Sequence, residues 1–250
     1  MKYCKRCLQP DTRPNSKFTP EGICPACDYF ERLQFVDWQE RYDILQDLLA
    51  QYKKSRRGKH RFDCIIGVSG GKDSSRQALW VRDKLGLNPL LACLSYPPEQ
   101  VTERGTNNIS NLIELGFDVV ISAPAPQTWR KLMSLAFDKF TNFGRSTELA
   151  LFSSVPQLAI HYDIPLILWG ENPGLQLGDL KTLGRTGYDG NNLRYMNTLS
   201  GGALEWIREA GFELKDLIPY QYPTPEDFDR HGLQIVYLGW FLGDWSLVNN

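Results

Sequence analysis

The chain has 250 residues, 42% of them apolar, and its 28 basic residues nearly balance 29 acidic ones to leave a net charge of −1. This length and apolar share support one good-sized core plus a small appendage and exclude a disordered chain. The balance lacks the basic excess typical of nucleic-acid binders, and no apolar stretch reaches the ~20 residues needed to span a bilayer. MKYCKRC at the start has no apolar signal region, so a cytoplasmic, reducing location is expected.

Residues 1–28 are rich in Cys, Pro and polar residues and show neither helical nor strand periodicity. Cys4, Cys7, Cys24 and Cys27 follow the spacing C-x2-C-x16-C-x2-C. Two such knuckles around a short polar loop suit tetrahedral thiolate binding of a structural zinc, and in a reducing compartment disulfides are disfavoured. An iron–sulfur cluster and a redox dithiol are the alternatives. The expectation is a closed, non-catalytic zinc module, since so short a segment has no other core. Residues 29–61 read as a linking helix and a basic linker. Trp38, Tyr42, Leu45, Leu48, Leu49 and Tyr52 recur at helical spacing from about Asp37, a candidate N-cap, to Lys54. Lys53 to Arg61 then form a basic cluster, read as a solvated linker.

From residue 62 onward the texture changes. DCIIGVS (63–69), NPLLACLS (88–95), FDVVISA (117–123) and IPLILWG (164–170) are short apolar runs. Helical patterns separate them: after the glycines to Leu85, from 102 to 115, from 129 to 140 and from 149 to 161. Continuous apolar runs with helical crossovers predict an α/β fold with a doubly wound parallel sheet over 62–250. Residues 171–200 read as a long polar loop. Leu204–Ala210 reads as a helix, Thr224-Pro225-Glu226-Asp227 as a helix start, and LQIVYLGWF (233–241) as a fifth strand.

The first strand ends in Ser69-Gly70-Gly71-Lys72-Asp73-Ser74, which opens a helix. Glycines let backbone approach an anion, the helix N-terminus offers free N–H groups, and Lys72 adds a full charge. The stretch fails the dinucleotide fingerprint. It also fails the loop that presents a γ-phosphate, because the glycine interval is one residue short and Asp73 follows the lysine. It resembles, residue for residue, the SGGxDS loop of the PP-loop ATP pyrophosphatases, which break ATP between the α and β phosphates. Backbone N–H groups, Lys72 and Mg2+ would stabilise the departing pyrophosphate, with Asp73 a candidate Mg2+ anchor. At the end of the fourth strand, Gly170, Glu171 and Asn172 are expected to line the same site, with Glu171 a candidate base. Lys181, Arg185, Tyr188, Asn191, Asn192 and Arg194 in the polar loop are candidates for binding substrate, the cations for a diphosphate.

The cysteine module, VSGGKDS and IPLILWGENPGLQLGD (164–179) together resemble the N-acetyl sugar amidotransferases of bacterial surface-polysaccharide and nonulosonic acid pathways. The resemblance spans most of the chain. It implies that ATP adenylates the acetamido oxygen of a nucleotide-linked sugar, and that ammonia then displaces AMP to leave an acetamidino group. It implies ATP, Mg2+ and structural zinc as cofactors. Glu171 and Asn172 would line the site, and Cys4, Cys7, Cys24 and Cys27 would hold the metal. It also implies separate glutaminase and cyclase-like subunits that deliver ammonia, since Cys64, Cys93 and the three histidines form no glutaminase motif. Members of that family are usually longer, so a C-terminal truncation is part of the expectation. Two alternatives stand beside it. One is a tRNA-modifying PP-loop enzyme, for which a net charge of −1 gives little support. The other is a non-catalytic scaffold that joins the cysteine module to an ATP-binding domain.

Overall fold

The computed structural model describes residues 1–12, 16–56, 61–177, 188–196, 198–199 and 202–242. Its strands are β1 (Cys64–Gly67), β2 (Pro89–Leu94), β3 (Val119–Ser122), β4 (Leu166–Trp169) and β5 (Gln234–Tyr237). They form a parallel sheet in the order β3-β2-β1-β4-β5. The expected doubly wound α/β architecture is therefore present. The order reverses at β1, and such a switch point is where open α/β sheets bind ligands.

The chain gathers into two compact units. One comprises 56–168 and 194–234. Here β1, β2 and β4 bury Ile65, Ile66, Leu90, Leu91, Leu166, Ile167 and Leu168. Helices α3 (Lys72–Asp83), α4 (Glu103–Glu114), α5 (Pro126–Phe140) and α6 (Gly144–His161) supply the crossovers. Gln77, buried on α3, donates its amide to the Leu168 carbonyl at 3.1 Å, tying the helix to the end of β4. Two short helices complete this unit, α8 (Glu205–Arg208) and α9 (Pro225–His231). Thr224 and Asp227 close a capping box at the start of α9, as the sequence signal there predicts.

The other unit comprises 1–55, 169–193 and 235–250. It holds α1 (Pro25–Arg32), α2 (Trp38–Arg56), α7 (Pro173–Leu177) and α10 (Leu238–Leu242). Asp37 accepts from the N–H groups of Gln39 and Glu40, the cap expected for α2.

Four local expectations change. Helix α1 forms where no periodicity was legible, started by Pro25 at its first position. Helix α6 starts at Gly144 rather than 149, where the Asn142 side-chain oxygen accepts from the Gly144 N–H. Helix α7 interrupts the stretch read as a loop. Strand β5 stops at Tyr237 and α10 follows, although the apolar run continues to Phe241, because an apolar run alone does not separate strand from buried helix.

Candidate functional site

The SGGKDS turn lies between β1 and α3. Gly70 is buried with φ +74°, and a Cβ there would lie 2.8 Å from the Asn108 backbone carbon on α4. Gly71 is the N-cap of α3 and supplies no side-chain cap, so the first N–H groups of a twelve-residue helix are not closed off by a capping side chain. The hydroxyls shape the turn. The Ser69 hydroxyl accepts from the Gly71 N–H at 3.3 Å, and Ser74 and Ser75 donate to the carbonyls of Gly71 and Gly70 at 3.2 Å each. Lys72 and Asp73 are exposed at the first two positions of α3. The six residues singled out in the sequence thus form one continuous turn and helix start at the switch point, with the shape of an anion cradle. Gly70→Ala combines a left-handed backbone with an overlap onto Asn108. It is expected to cost about 2–3 kcal/mol of stability, measurable by urea unfolding. A loss within ~0.5 kcal/mol would show that the turn tolerates a side chain.

The sequence reading missed a neighbouring feature. Ser95, Tyr96, Pro97, Pro98 and Val101 after β2, with Ala123 to Pro126 after β3, line an apolar recess of about 500 Å3. It opens at the carboxyl ends of these strands, the same edge of the sheet as the cradle. Two proline pairs flanking strand ends were the available signal. A larger open groove of about 700 Å3 on α5 and residues 210–216 mixes Arg130 and Lys131 with Asp138 and Asp216.

In the other unit, Glu171 keeps exposed surface, yet protein crowds its carboxyl. Desolvation raises its pKa above the usual carboxylate value, opposed in part by its own N–H. Asn172 is buried, 2% exposed. Its amide nitrogen donates to the Tyr29 hydroxyl at 3.3 Å and the Gly239 carbonyl at 3.2 Å, and its oxygen accepts from the Leu175 N–H at 3.3 Å. Its side chain therefore holds the turn. A Cβ on Gly239 would lie 2.7 Å from the Gly170 oxygen, so the Gly170–Glu171 backbone packs directly on α10.

Of the substrate candidates, Lys181 and Arg185 lie outside the described residues. Tyr188 joins an aromatic cluster with Trp240 and Phe241, with centroids 5.4 and 4.9 Å away. The Asn191 side-chain oxygen accepts from the Ile235 N–H, while Asn192 is exposed. Arg194, within the sheet unit, is 4% exposed, and its guanidinium lies over the rings of Phe228 and Tyr222 at 4.8 and 5.5 Å. Among the described residues it makes no ion pair.

The four cysteine sulfurs lie within 4.8 Å of one another, with Cys7 and Cys24 at 3.6 Å. A tetrahedral ion with bonds of about 2.3 Å places its sulfurs about 3.8 Å apart, so the cluster fits a single metal ion. Burial pushes the Cys4 thiol upward, but N–H donors from Cys7, Cys24 and Arg6 outweigh it and bring its pKa to about 6. Cys4 is thus prepared as a thiolate. Burial raises Cys24 and Cys27. Cys64 and Cys93 are buried strand residues, also raised by burial, which suits the core role expected of them. Among the described residues no helix is long and apolar enough to cross a membrane.

No protein-family model matches the chain, and no curated protein matches it. Among solved structures it is similar to the NH3-dependent NAD synthetase of Campylobacter jejuni in complex with the nitrate ion. The identity is 16%, the TM-score 0.38, and the match covers 55% of this chain and 58% of that one. This chain thus matches little more than half the length of that synthetase. It is also similar to the NMN synthetase of Francisella tularensis, with 16% identity, TM-score 0.40 and coverage of 86% and 95%. A third similarity is to the U34-tRNA thiolase NcsA of Methanococcus maripaludis with its [4Fe-4S] cluster. There the identity is 15%, the TM-score 0.31 and the coverage 93% and 72%. At these scores, what the chain does is read from its own residues.

Proposed function

We propose that the chain is an AMP- and pyrophosphate-forming ligase of the PP-loop ATP pyrophosphatase type that acts as an N-acetyl sugar amidotransferase. The observation that carries this reading is the SGGKDS cradle, a forced glycine turn opening an uncapped helix at the sheet's switch point. The acetamido oxygen of a nucleotide-linked sugar attacks the α-phosphorus of ATP. Pyrophosphate leaves along the first N–H groups of α3 and Lys72, with Ser69 and Ser74 beside it. Ammonia then adds to the activated carbon, AMP departs with the former amide oxygen, and an acetamidino group remains. Mg2+, with Asp73 as its protein anchor, would neutralise charge on the phosphates. The apolar recess beside Tyr96 suits the flat adenine ring.

Glu171 takes the proton from the attacking amine, for which it must be ionised. Its raised pKa sets the acid limb of kcat above the range of an ordinary glutamate. Glu171→Gln is expected to lower kcat about 100-fold and to flatten that limb. The same shift bears on stability. Between the unfolded and folded pKa values the native state holds the extra proton, so stability falls as pH rises through that window. The variant loses this decline, and an unchanged pH–rate profile would remove Glu171 from proton transfer.

Arg194 and Tyr188 remain the substrate-binding candidates. Zinc is the metal proposed for the four cysteines, because a cuboidal cluster carries its thiolates on outer corners, farther apart than a single ion does. Ammonia would come from separate glutaminase and cyclase-like subunits, and the product would serve cytoplasmic assembly of surface polysaccharide such as lipopolysaccharide O-antigen. The test is incubation with ATP, Mg2+, an ammonium salt and a panel of nucleotide-linked acetamido sugars. AMP together with a sugar in which NH has replaced oxygen is the expected result. AMP formed only when tRNA is present would overturn the choice of substrate.

A further inference from the structure

The unit that carries the cysteines contains a polar network that neither the cradle nor the metal uses. Tyr29 lies on α1, two residues beyond Cys27, and its hydroxyl accepts from Asn172, the residue after Glu171. The same hydroxyl meets the Arg41 guanidinium of α2. Arg41 donates to the Trp240 carbonyl at 2.5 Å and lies between two indoles, 3.8 Å from the centroid of Trp240 and 5.3 Å from that of Trp38. Asn172 donates in turn to Gly239, the residue before Trp240. Helix α1 also packs against α7, which begins at the residue after Asn172. One tyrosine hydroxyl therefore joins the cysteine module to the turn that bears Glu171.

We propose that Tyr29 is a positioning residue through which the four-cysteine metal site sets the order of the Gly170–Asn172 turn. No helical residue from Pro25 to Arg32 is buried, so α1 has little apolar core of its own to hold it. Its placement depends on the cysteines at and near its start, since Cys24 is its N-cap and Cys27 lies in its first turn. Holding α1 fixes the Tyr29 hydroxyl. The hydroxyl fixes the Asn172 amide, and Asn172 fixes the backbone of its neighbour Glu171. Loss of the metal would loosen this turn even where the sheet unit stays folded. The consequence for turnover rests on the proposed role of Glu171; the coupling itself does not.

Hydrogen exchange on the full-length, metal-loaded protein tests the coupling without reference to ATP. In Tyr29→Phe, which keeps all four cysteines and the ring, peptides over 169–175 are expected to exchange about three- to tenfold faster. Metal content and exchange in β1 and β2 should stay unchanged. Chelation should speed the same peptides in the parent protein and add little in Tyr29→Phe, because the link is already cut. If the sugar reading is right, kcat falls with the KM for ATP unchanged. Parent-like exchange over 169–175 in Tyr29→Phe would overturn the proposal, as would equal chelation effects in both proteins. If chelation unfolds the whole chain, the Tyr29→Phe comparison decides alone. Failure to form AMP with any sugar, alongside faster exchange, would refute the reaction and leave the coupling standing.

Discussion

Lys72→Ala is expected to lower the rate of pyrophosphate release by about 100- to 1,000-fold while the protein stays folded and gains slightly in stability. The gain follows from position. Lys72 occupies the first turn of α3, where the positive end of the helix dipole disfavours a cation. It is exposed, and removing a mismatched charge there is worth about 0.3–1 kcal/mol. A cation at that place fits the proposed work on a developing anion. Asp73 occupies the next position, where an acid suits the dipole, so Asp73→Ala should lose a similar amount of stability together with activity. Opposite stability changes with a shared loss of turnover separate a phosphate site from an ordinary helix start. Normal turnover in both variants would take the turn out of the mechanism.

Cys24→Ser is expected to abolish metal binding and unfold the N-terminal module. Among the described residues from 1 to 32, Cys4 and Cys24 alone are buried, so the four-cysteine cluster is the core of this segment. Structural zinc contributes about 10–16 kcal/mol in small zinc-dependent peptides, far more than this segment's apolar contacts supply. The Cys24 N–H also donates to the Cys4 sulfur at 3.2 Å, one of the bonds that lower the Cys4 pKa. Elemental analysis should find one zinc per parent chain and close to none in the variant. Iron with inorganic sulfide would replace the zinc assignment, and a soluble variant with full metal content would refute the role of Cys24.

The sequence made the sheet legible because buried parallel strands are apolar on both faces. LLAC of β2 and LILW of β4 are buried throughout. FDVVISA shows the limit of that signal. It reads like a central strand, yet β3 lies at the sheet edge with Ile121 54% exposed. The SGGKDS turn was legible because its backbone shape is written directly into sequence by glycine and a helix start. The cysteine cluster was legible for the same reason, through ligand spacing. Asn172 was not. Its type and its place beside Glu171 suggested a ligand, whereas its amide is committed to Tyr29, Gly239 and Leu175, partners set by tertiary contacts. The recess at Tyr96 was missed because it depends on two loops that are distant in the chain.

The most direct test of the central claim is phosphorus NMR of the spent nucleotide when the protein turns over ATP with an acetamido sugar and ammonium. AMP and pyrophosphate in equal amounts are the expected products. ADP and inorganic phosphate as the sole products would contradict the assignment of the cradle and every step built on it.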